Sequence, residues 1–113
     1  MSGITTHVLD TARGEPARGI TVTLLRLNES GMAIALTTRQ TDDEGRVRSL
    51  LAPDEVAPGR YRLVFDTGAY QANHDANTFF PSVTIDFDVA DSRASYHVPL
   101  LLSPGGYTTY RGS

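Results

Sequence analysis

The sequence predicts an all-β protein, an antiparallel β-sandwich of seven to eight strands with one short helix. Short runs rich in branched and aromatic residues recur along the 113 residues, and many of them alternate apolar with polar positions. Gly, Pro, Asn and Asp separate these runs. No long stretch shows the apolar period of an amphipathic helix, so we expect a single sandwich domain over residues 1–113.

Eight segments are expected to form strands, each bounded by a turn or loop. In chain order they are Ile4–Asp10, Ile20–Leu27, Ala33–Gln40, Val47–Leu51, Arg60–Asp66, Val83–Val89, residues 95–103 and residues 106–112. The first connection, "ARGEPARG", is expected to be a Gly/Pro loop, and the last two strands a hairpin around "SPGG". Residues 67–75 are the one plausible helical turn.

Composition excludes several classes of function. The net charge of −3, with both signs mixed along the chain, disfavours a nucleic-acid partner. No apolar run reaches membrane-spanning length, and the first ten residues do not resemble a signal peptide, so we expect a cytoplasmic protein. Three scattered histidines without cysteine do not make a metal site, and no phosphate-binding loop is present. We therefore expect no metal and no cofactor.

Strand alternation places two histidines on outer sheet faces. In the penultimate strand, Tyr96 and Val98 belong to the core face, whereas His97 and Pro99 belong to the opposite face. In the first strand, His7 shares its face with Thr5. By pattern alone, such a histidine is more often a surface or core residue than a catalyst. His74 is interpreted as part of a local polar pair near the short helix.

Four stretches, in order along almost the whole chain, carry a resemblance to a known family. They are "THVLDTARGEPARGI", "DEGR", "FFPSVTIDF" and "YHVPLLLSPGGYTTYRGS". Together they resemble the 5-hydroxyisourate hydrolases, the transthyretin-related enzymes of urate breakdown, and the terminal Tyr-Arg-Gly-Ser is the most specific piece. Ser95 departs from the family's common His-Tyr-His, but the histidine that matters in the family matches His97.

The resemblance implies a transthyretin-like fold and a homotetramer, a dimer of dimers with a channel lined by outer sheet faces. The implied reaction is hydrolysis of 5-hydroxyisourate to 2-oxo-4-hydroxy-4-carboxy-5-ureidoimidazoline. By the same resemblance, His7 and His97 bind and activate water, His7 also binds the substrate, and Arg46 holds a substrate carbonyl and stabilises charge. Tyr110 binds the substrate ring, and Ser113 supplies a hydroxyl and the terminal carboxylate.

Two other functions stay open at this point. The sandwich could carry a small aromatic ligand without chemistry, as transthyretin does, because a fold alone does not determine a function. It could also be an interaction domain that binds partners through its sheets. Sequence does not divide the roles of His7 and His97.

Overall fold

The computed structural model describes residues 3–76 and 78–112 of the chain. These residues form nine strands in two facing sheets, together with one short helix and the connecting turns. The strands are β1 (Gly3–Asp10), β2 (Glu15–Pro16), β3 (Thr21–Leu27), β4 (Ala33–Gln40), β5 (Arg46–Leu51), β6 (Gly59–Phe65), β7 (Val83–Val89), β8 (Ser95–Ser103) and β9 (Gly106–Thr109). A 3-10 turn spans Pro53–Glu55, and the helix α1 spans Thr67–Asn73. The predicted β-sandwich with one short helix is confirmed.

The two sheets differ in size and in strand direction. The four-stranded sheet has the order β4-β3-β6-β7 and is antiparallel throughout. The five-stranded sheet has the order β2-β1-β8-β9, and β5 also pairs with β1. Within it, β1 and β8 run parallel, from Gly3 opposite Ser95 to Asp10 opposite Leu102. Parallel neighbours need a long connection, and here most of the chain lies between them.

Several element boundaries differ from the prediction. The segment expected to be a Gly/Pro loop contains the two-residue strand β2, which pairs with Leu9 and Asp10. The predicted hairpin of β8 and β9 is present, but β9 ends at Thr109 and the chain rejoins the sheet only at Gly112. Pro99 has no backbone N–H to donate to the ladder, and such residues are usual at sheet edges, yet it lies in an interior strand, between β1 and β9. Its ring is buried, and its carbonyl accepts a hydrogen bond from Thr109 Oγ1 at 2.8 Å.

The core lies between the inner faces of the two sheets and follows the period of two. The predicted core face of β8 is confirmed by Tyr96, Val98, Leu100 and Leu102, all of which are buried. Each fully buried aliphatic side chain of this kind contributes about 1.5–3 kcal/mol to folding. The largest fully buried hydrophobic side chains are Tyr61, Phe65, Ile4, Ile20, Leu24, Leu63, Leu100 and Leu102.

A buried polar contact attaches α1 to β1. Asp10 is 3% exposed, and its carboxylate accepts hydrogen bonds from Tyr70 Oη at 2.7 Å and from the Arg13 backbone N–H at 3.0 Å. Burial, reinforced by the Asp10 carboxylate, raises the pKa of Tyr70 well above its ordinary value, so the phenol remains a donor. His74 caps the C-terminus of this helix, and its Nδ1–H donates a hydrogen bond to the Tyr70 carbonyl at 2.9 Å.

Candidate active site

Three adjacent strands bring the predicted imidazoles and guanidinium onto one face. β5 and β8 both pair with β1, from opposite sides. His7 lies directly opposite Arg46 of β5 and opposite Pro99 of β8, and Thr5 lies opposite His97. Because alternate residues share a face, His7, Arg46 and His97 all project from the outer face of the five-stranded sheet. Residues that are up to 90 positions apart in sequence thus become neighbours.

The turn before β5 places Arg46. Asp42 Oδ1 accepts hydrogen bonds from the backbone N–H groups of Glu44 and Arg46, both at 2.9 Å. These bonds, the one from Arg46 first, lower the pKa of the Asp42 carboxyl. Gly45 has a φ of +76°, and a Cβ there would collide with the Val8 carbonyl, so the turn packs against β1 only with glycine.

Arg46 and Arg48 share the outer face but differ in their partners. The Arg48 guanidinium forms ion pairs with Asp42, at 3.7 Å, and with Glu44. No ion pair or hydrogen bond of the Arg46 guanidinium occurs among the described residues. The five donors of Arg46 therefore remain available to a planar polar ligand, for which a guanidinium is well shaped.

The hydrogen bond of His7 determines its tautomer. His7 Nε2 lies 2.8 Å from the backbone carbonyl oxygen of Glu44. A carbonyl oxygen only accepts, so Nε2 carries the proton and donates it. In neutral His7, the free lone pair is consequently on Nδ1.

His97 lies deeper in the same face. Burial lowers the pKa of His97 below its ordinary value of 6.5, and the positive charge of Arg46 and the proximity of His7 lower it further. The imidazole is therefore neutral at neutral pH and able to accept a proton. Its Nδ1 lies 2.8 Å from the hydroxyl oxygen of Thr5, a residue that the sequence analysis did not assign to the site.

The end of the chain runs beside His97, on the other side of β8. Gly112 pairs with His97 through a bridge in which the Gly112 N–H donates to the His97 carbonyl at 2.7 Å. Thr108 lies opposite Leu101, so alternation places Tyr110 on the outer face too, with 55% of its surface exposed. The predicted site residue Ser113 lies outside the described residues.

Arg111 differs from its neighbours because its side chain lies, still exposed, on the core side of β8 at the edge of the sandwich. Its guanidinium lies over the Tyr96 ring, 4.7 Å from the ring centroid, and its Nη2 is 3.4 Å from the Ser95 carbonyl oxygen. Tyr96 belongs to the core face of β8. Within the terminal Tyr-Arg-Gly-Ser, Arg111 thus stabilises the edge of the fold, whereas Tyr110 and Gly112 face the site.

A depression of about 410 Å³ lies over these strands, within the range of small-molecule sites. Its polar lining residues are Thr5, Thr6, Arg46, Arg48, Ser95 and His97. A neutral imidazole next to an unpaired guanidinium can remove a proton from water and stabilise an oxyanion.

The described residues contain no cluster of three potential metal ligands and no helix long and apolar enough to cross a membrane.

Three of the predicted site residues lie close together, and a fourth lies further along the same sheet. His7, Arg46 and His97 lie together on β1, β5 and β8, whereas Tyr110 follows β9, beyond β8. Thr5 and Gly112 were not among the site residues predicted from the sequence, although both lie beside His97. The signal for Thr5 was available, because Thr5 precedes His7 by two residues and so shares its face.

Similarity to characterised proteins extends over the full length of the chain. The chain is 45% identical to the 5-hydroxyisourate hydrolase of Mus musculus over 113 residues, which cover 99% of this chain and 96% of that protein. The structure of Klebsiella pneumoniae 5-hydroxyisourate hydrolase superposes with a TM-score of 0.87 at 37% identity, and covers 100% of both chains. Sea bream transthyretin in complex with thyroxine gives a TM-score of 0.91 at 29% identity, and covers 96% of this chain and 93% of that one.

A family model agrees with these pairwise similarities. Residues 4–112 match the model of the HIUase/Transthyretin family. The match includes His7, Arg46, His97 and all nine described strands except Gly3, the first residue of β1. The chain therefore belongs to the HIUase/Transthyretin family.

Proposed function

We propose that the protein hydrolyses 5-hydroxyisourate to 2-oxo-4-hydroxy-4-carboxy-5-ureidoimidazoline. The observation that carries the proposal is the meeting of His7, Arg46 and His97 on one outer sheet face. The named hydrolases among its relatives support it, because they share 37–46% of their residues with this chain, more than the transthyretins at 28–29%.

His97 acts as the general base. It is neutral at neutral pH, because burial and the charge of Arg46 lower its pKa. A neutral imidazole with a free ring nitrogen takes a proton from the attacking water, which typically accelerates a reaction by about 10²–10⁴-fold. His7 is less suited to this role at Nε2, since that nitrogen already donates its proton to Glu44; His7 binds the substrate or the water.

Arg46 stabilises the charge that develops during the attack. Water adds to a carbonyl carbon of the six-membered ring, and the carbonyl oxygen becomes negative. The unpaired guanidinium of Arg46 donates hydrogen bonds to this oxygen, and such donors are worth about 10²–10³-fold in rate. The C–N bond then breaks, the ring nitrogen leaves with the proton that the imidazole had accepted, and the carbonyl carbon becomes a carboxylic acid, which releases its proton to the solvent as a carboxylate.

Tyr110 and Ser113 complete the site in an assembly of four chains. In one chain, Tyr110 is largely exposed and lies on the far side of β8 from His7. We therefore propose a homotetramer, a dimer of dimers, in which the outer faces of five-stranded sheets line a channel and Tyr110 contacts the substrate ring. Ser113 orients the water or a histidine through its hydroxyl.

The decisive experiment follows the ultraviolet decay of freshly prepared 5-hydroxyisourate with and without the protein. We expect a decay that is faster in proportion to protein concentration, and a solution mass equal to four chains. Removal of residues 110–113 is expected to abolish the acceleration. A decay rate that the protein does not change, together with saturable binding of a small aromatic ligand, would favour a carrier instead. The expected cytoplasmic location stays a prediction, to be tested by cell fractionation.

A further inference from the structure

Both edges of the His97 ring are in contact with neighbouring strands. On the β1 side, Thr5 Oγ1 lies 2.8 Å from His97 Nδ1. On the β9 side, the ring edge that carries Cδ2 faces Gly112. Nδ1 and Cδ2 are on opposite sides of the ring, so the two contacts together determine its rotation as well as its position.

Gly112 is required by the ring and not by the backbone. Its φ lies outside the left-handed region, so its backbone conformation would accept any residue. A Cβ at this position, however, would lie 2.5 Å from His97 Cδ2 and 3.2 Å from Cγ. The chain cannot simply move away, because the Gly112 N–H is bonded to the His97 carbonyl at 2.7 Å.

Thr5 differs from the threonine that follows it. The hydroxyl of Thr6 faces inward and donates to the Val98 carbonyl at 2.6 Å, which is a structural bond within the sandwich. The hydroxyl of Thr5 faces outward and contacts the imidazole of His97. Adjacent residues of one strand thus serve the core and the site, respectively.

We propose that Thr5 and Gly112 are positioning residues that prepare His97 as the base. Thr5 Oγ1 accepts a hydrogen bond from Nδ1–H of His97, so Nε2 keeps its lone pair and points toward the depression. Gly112 leaves room for the ring in that orientation. The inference rests on the proposed function for its catalytic meaning, but the tautomer and the contacts are properties of the folded chain itself.

This arrangement gives His97 and His7 opposite tautomers. His7 carries its proton on Nε2, because it donates to the Glu44 carbonyl. His97 carries its proton on Nδ1, and its Nε2 is left for the water. The charged and titratable groups that face His97 or line a depression with it are His7 from β1, Arg46 and Arg48 from β5, Asp88 from β7, Tyr96 from β8, and Tyr110 and Arg111 from the segment after β9. His97 itself is held through Nδ1 by the hydroxyl of Thr5.

Kinetics of two Thr5 variants test the positioning role. Thr5→Val removes the hydroxyl at nearly constant shape, and we expect kcat to fall about tenfold or more, with KM little changed, because small misplacements of a base are costly. Thr5→Ser retains the hydroxyl and should recover most of kcat. Thr23→Val, on the four-stranded sheet, removes a hydroxyl that contacts Thr38 at 3.3 Å and should leave kcat unchanged. A Thr5→Val enzyme with wild-type kcat would overturn the proposal.

The pH profile of the same variant distinguishes positioning from a general structural effect. A protonated imidazole donates more strongly than a neutral one, so the Thr5 oxygen favours the charged ring. Its removal should therefore move the acid limb of kcat/KM to lower pH. An acid limb at the wild-type pH, with kcat reduced, would show damage to the fold rather than loss of this bond.

Nitrogen-15 NMR of the histidine rings tests the tautomer without any substrate. We expect a pyrrole-type Nδ1 and a pyridine-type Nε2 for His97 in the wild type, and a mixture of tautomers in Thr5→Val and in Gly112→Ala. A proton on Nε2 of wild-type His97 would overturn the proposal even if a variant failed to fold. Should the wild type show this tautomer but no hydrolysis, the proposed function fails while the positioning contacts stand.

Discussion

Arg46, on one outer face of the sandwich, differs in its partners from the arginines of β6 on the other outer face. On the four-stranded sheet, Arg60 and Arg62 of β6 lie directly opposite Asp88 and Asp86 of β7 and pair with them at 2.9 and 2.7 Å. On the five-stranded sheet, Arg46 lies opposite His7, and no acidic side chain among the described residues pairs with its guanidinium.

The difference lies in what opposes each arginine across the strands. Cross-strand pairs are the units of sheet stabilisation, and opposite charges there contribute modestly to stability. The Arg–Asp pairs neutralise one another and lower the pKa of Asp86 and Asp88, each mainly through the hydrogen bond from its arginine. Arg46 has no acidic partner among the described residues, and its charge adds to the burial that lowers the pKa of His97. The arginines of β6 and the aspartates of β7 thus neutralise one another, whereas Arg46 and the neutral imidazole of His97 can both bind a ligand.

Replacing the base should give the largest effect. We expect His97→Ala to lower kcat/KM for 5-hydroxyisourate by about 10²–10⁴-fold, because the general base is lost. Thermal unfolding should change little, since His97 is only partly buried. The matched control is Arg60→Ala on the other face, which should retain wild-type activity. Near-native turnover by His97→Ala would show that the two faces do not differ in the proposed way.

Replacement of Arg46 should give the second largest loss of activity. Arg46→Ala is expected to reduce kcat by about 10²–10³-fold, the usual consequence of losing one oxyanion donor. Arg46→Lys keeps the charge but loses the forked donors, so it should recover only part of the rate. Steady-state kinetics of the two variants give the comparison, and equal, undiminished rates in both would remove Arg46 from the mechanism.

Removal of the charge of Arg46 should move the acid limb of kcat/KM to higher pH. Arg46→Gln removes a positive charge that lowers the pKa of His97, so this pKa rises toward its ordinary value of 6.5. His97 then stays protonated to higher pH, and the acid limb of kcat/KM moves to higher pH. Arg48→Gln is the control, because that guanidinium is already paired with Asp42 and Glu44. An unmoved limb in Arg46→Gln would contradict the electrostatic coupling.

Substitutions in an Arg–Asp pair on the four-stranded sheet should have the smallest effect. A double-mutant cycle with Arg62→Gln and Asp86→Asn is expected to give a coupling of about 0.2–1 kcal/mol in the free energy of unfolding, as for other exposed pairs. Hydrolysis should be unaffected. The folded-state pKa of Asp86 is lowered, so its contribution is present above the ordinary value of 3.8 and is lost as pH falls through the folded pKa. A coupling that persists in full below that pH would contradict the ion-pair assignment.

The predictability of the site differed from residue to residue. Alternation placed His7 and His97 on outer faces, and resemblance to a family singled out Arg46. The tautomer of His7 could not be predicted, because it depends on the carbonyl of Glu44, which only the packing of the turn on β1 brings within 2.8 Å. The role of Arg111 was equally inaccessible, since stacking on Tyr96 requires knowledge of the strand register.

By itself, the sequence determined the local structure of this protein: where strands run, where turns fall and which face of each strand is apolar. These features depend on near neighbours in the chain, through side-chain alternation and the conformations of glycine and proline. Only the tertiary structure decided that β1 and β8 pair in parallel and that β5 joins β1 on the other side. Such pairings join residues far apart in the chain, and their register depends on how two whole sheets pack together, so no local pattern specifies which side chains meet.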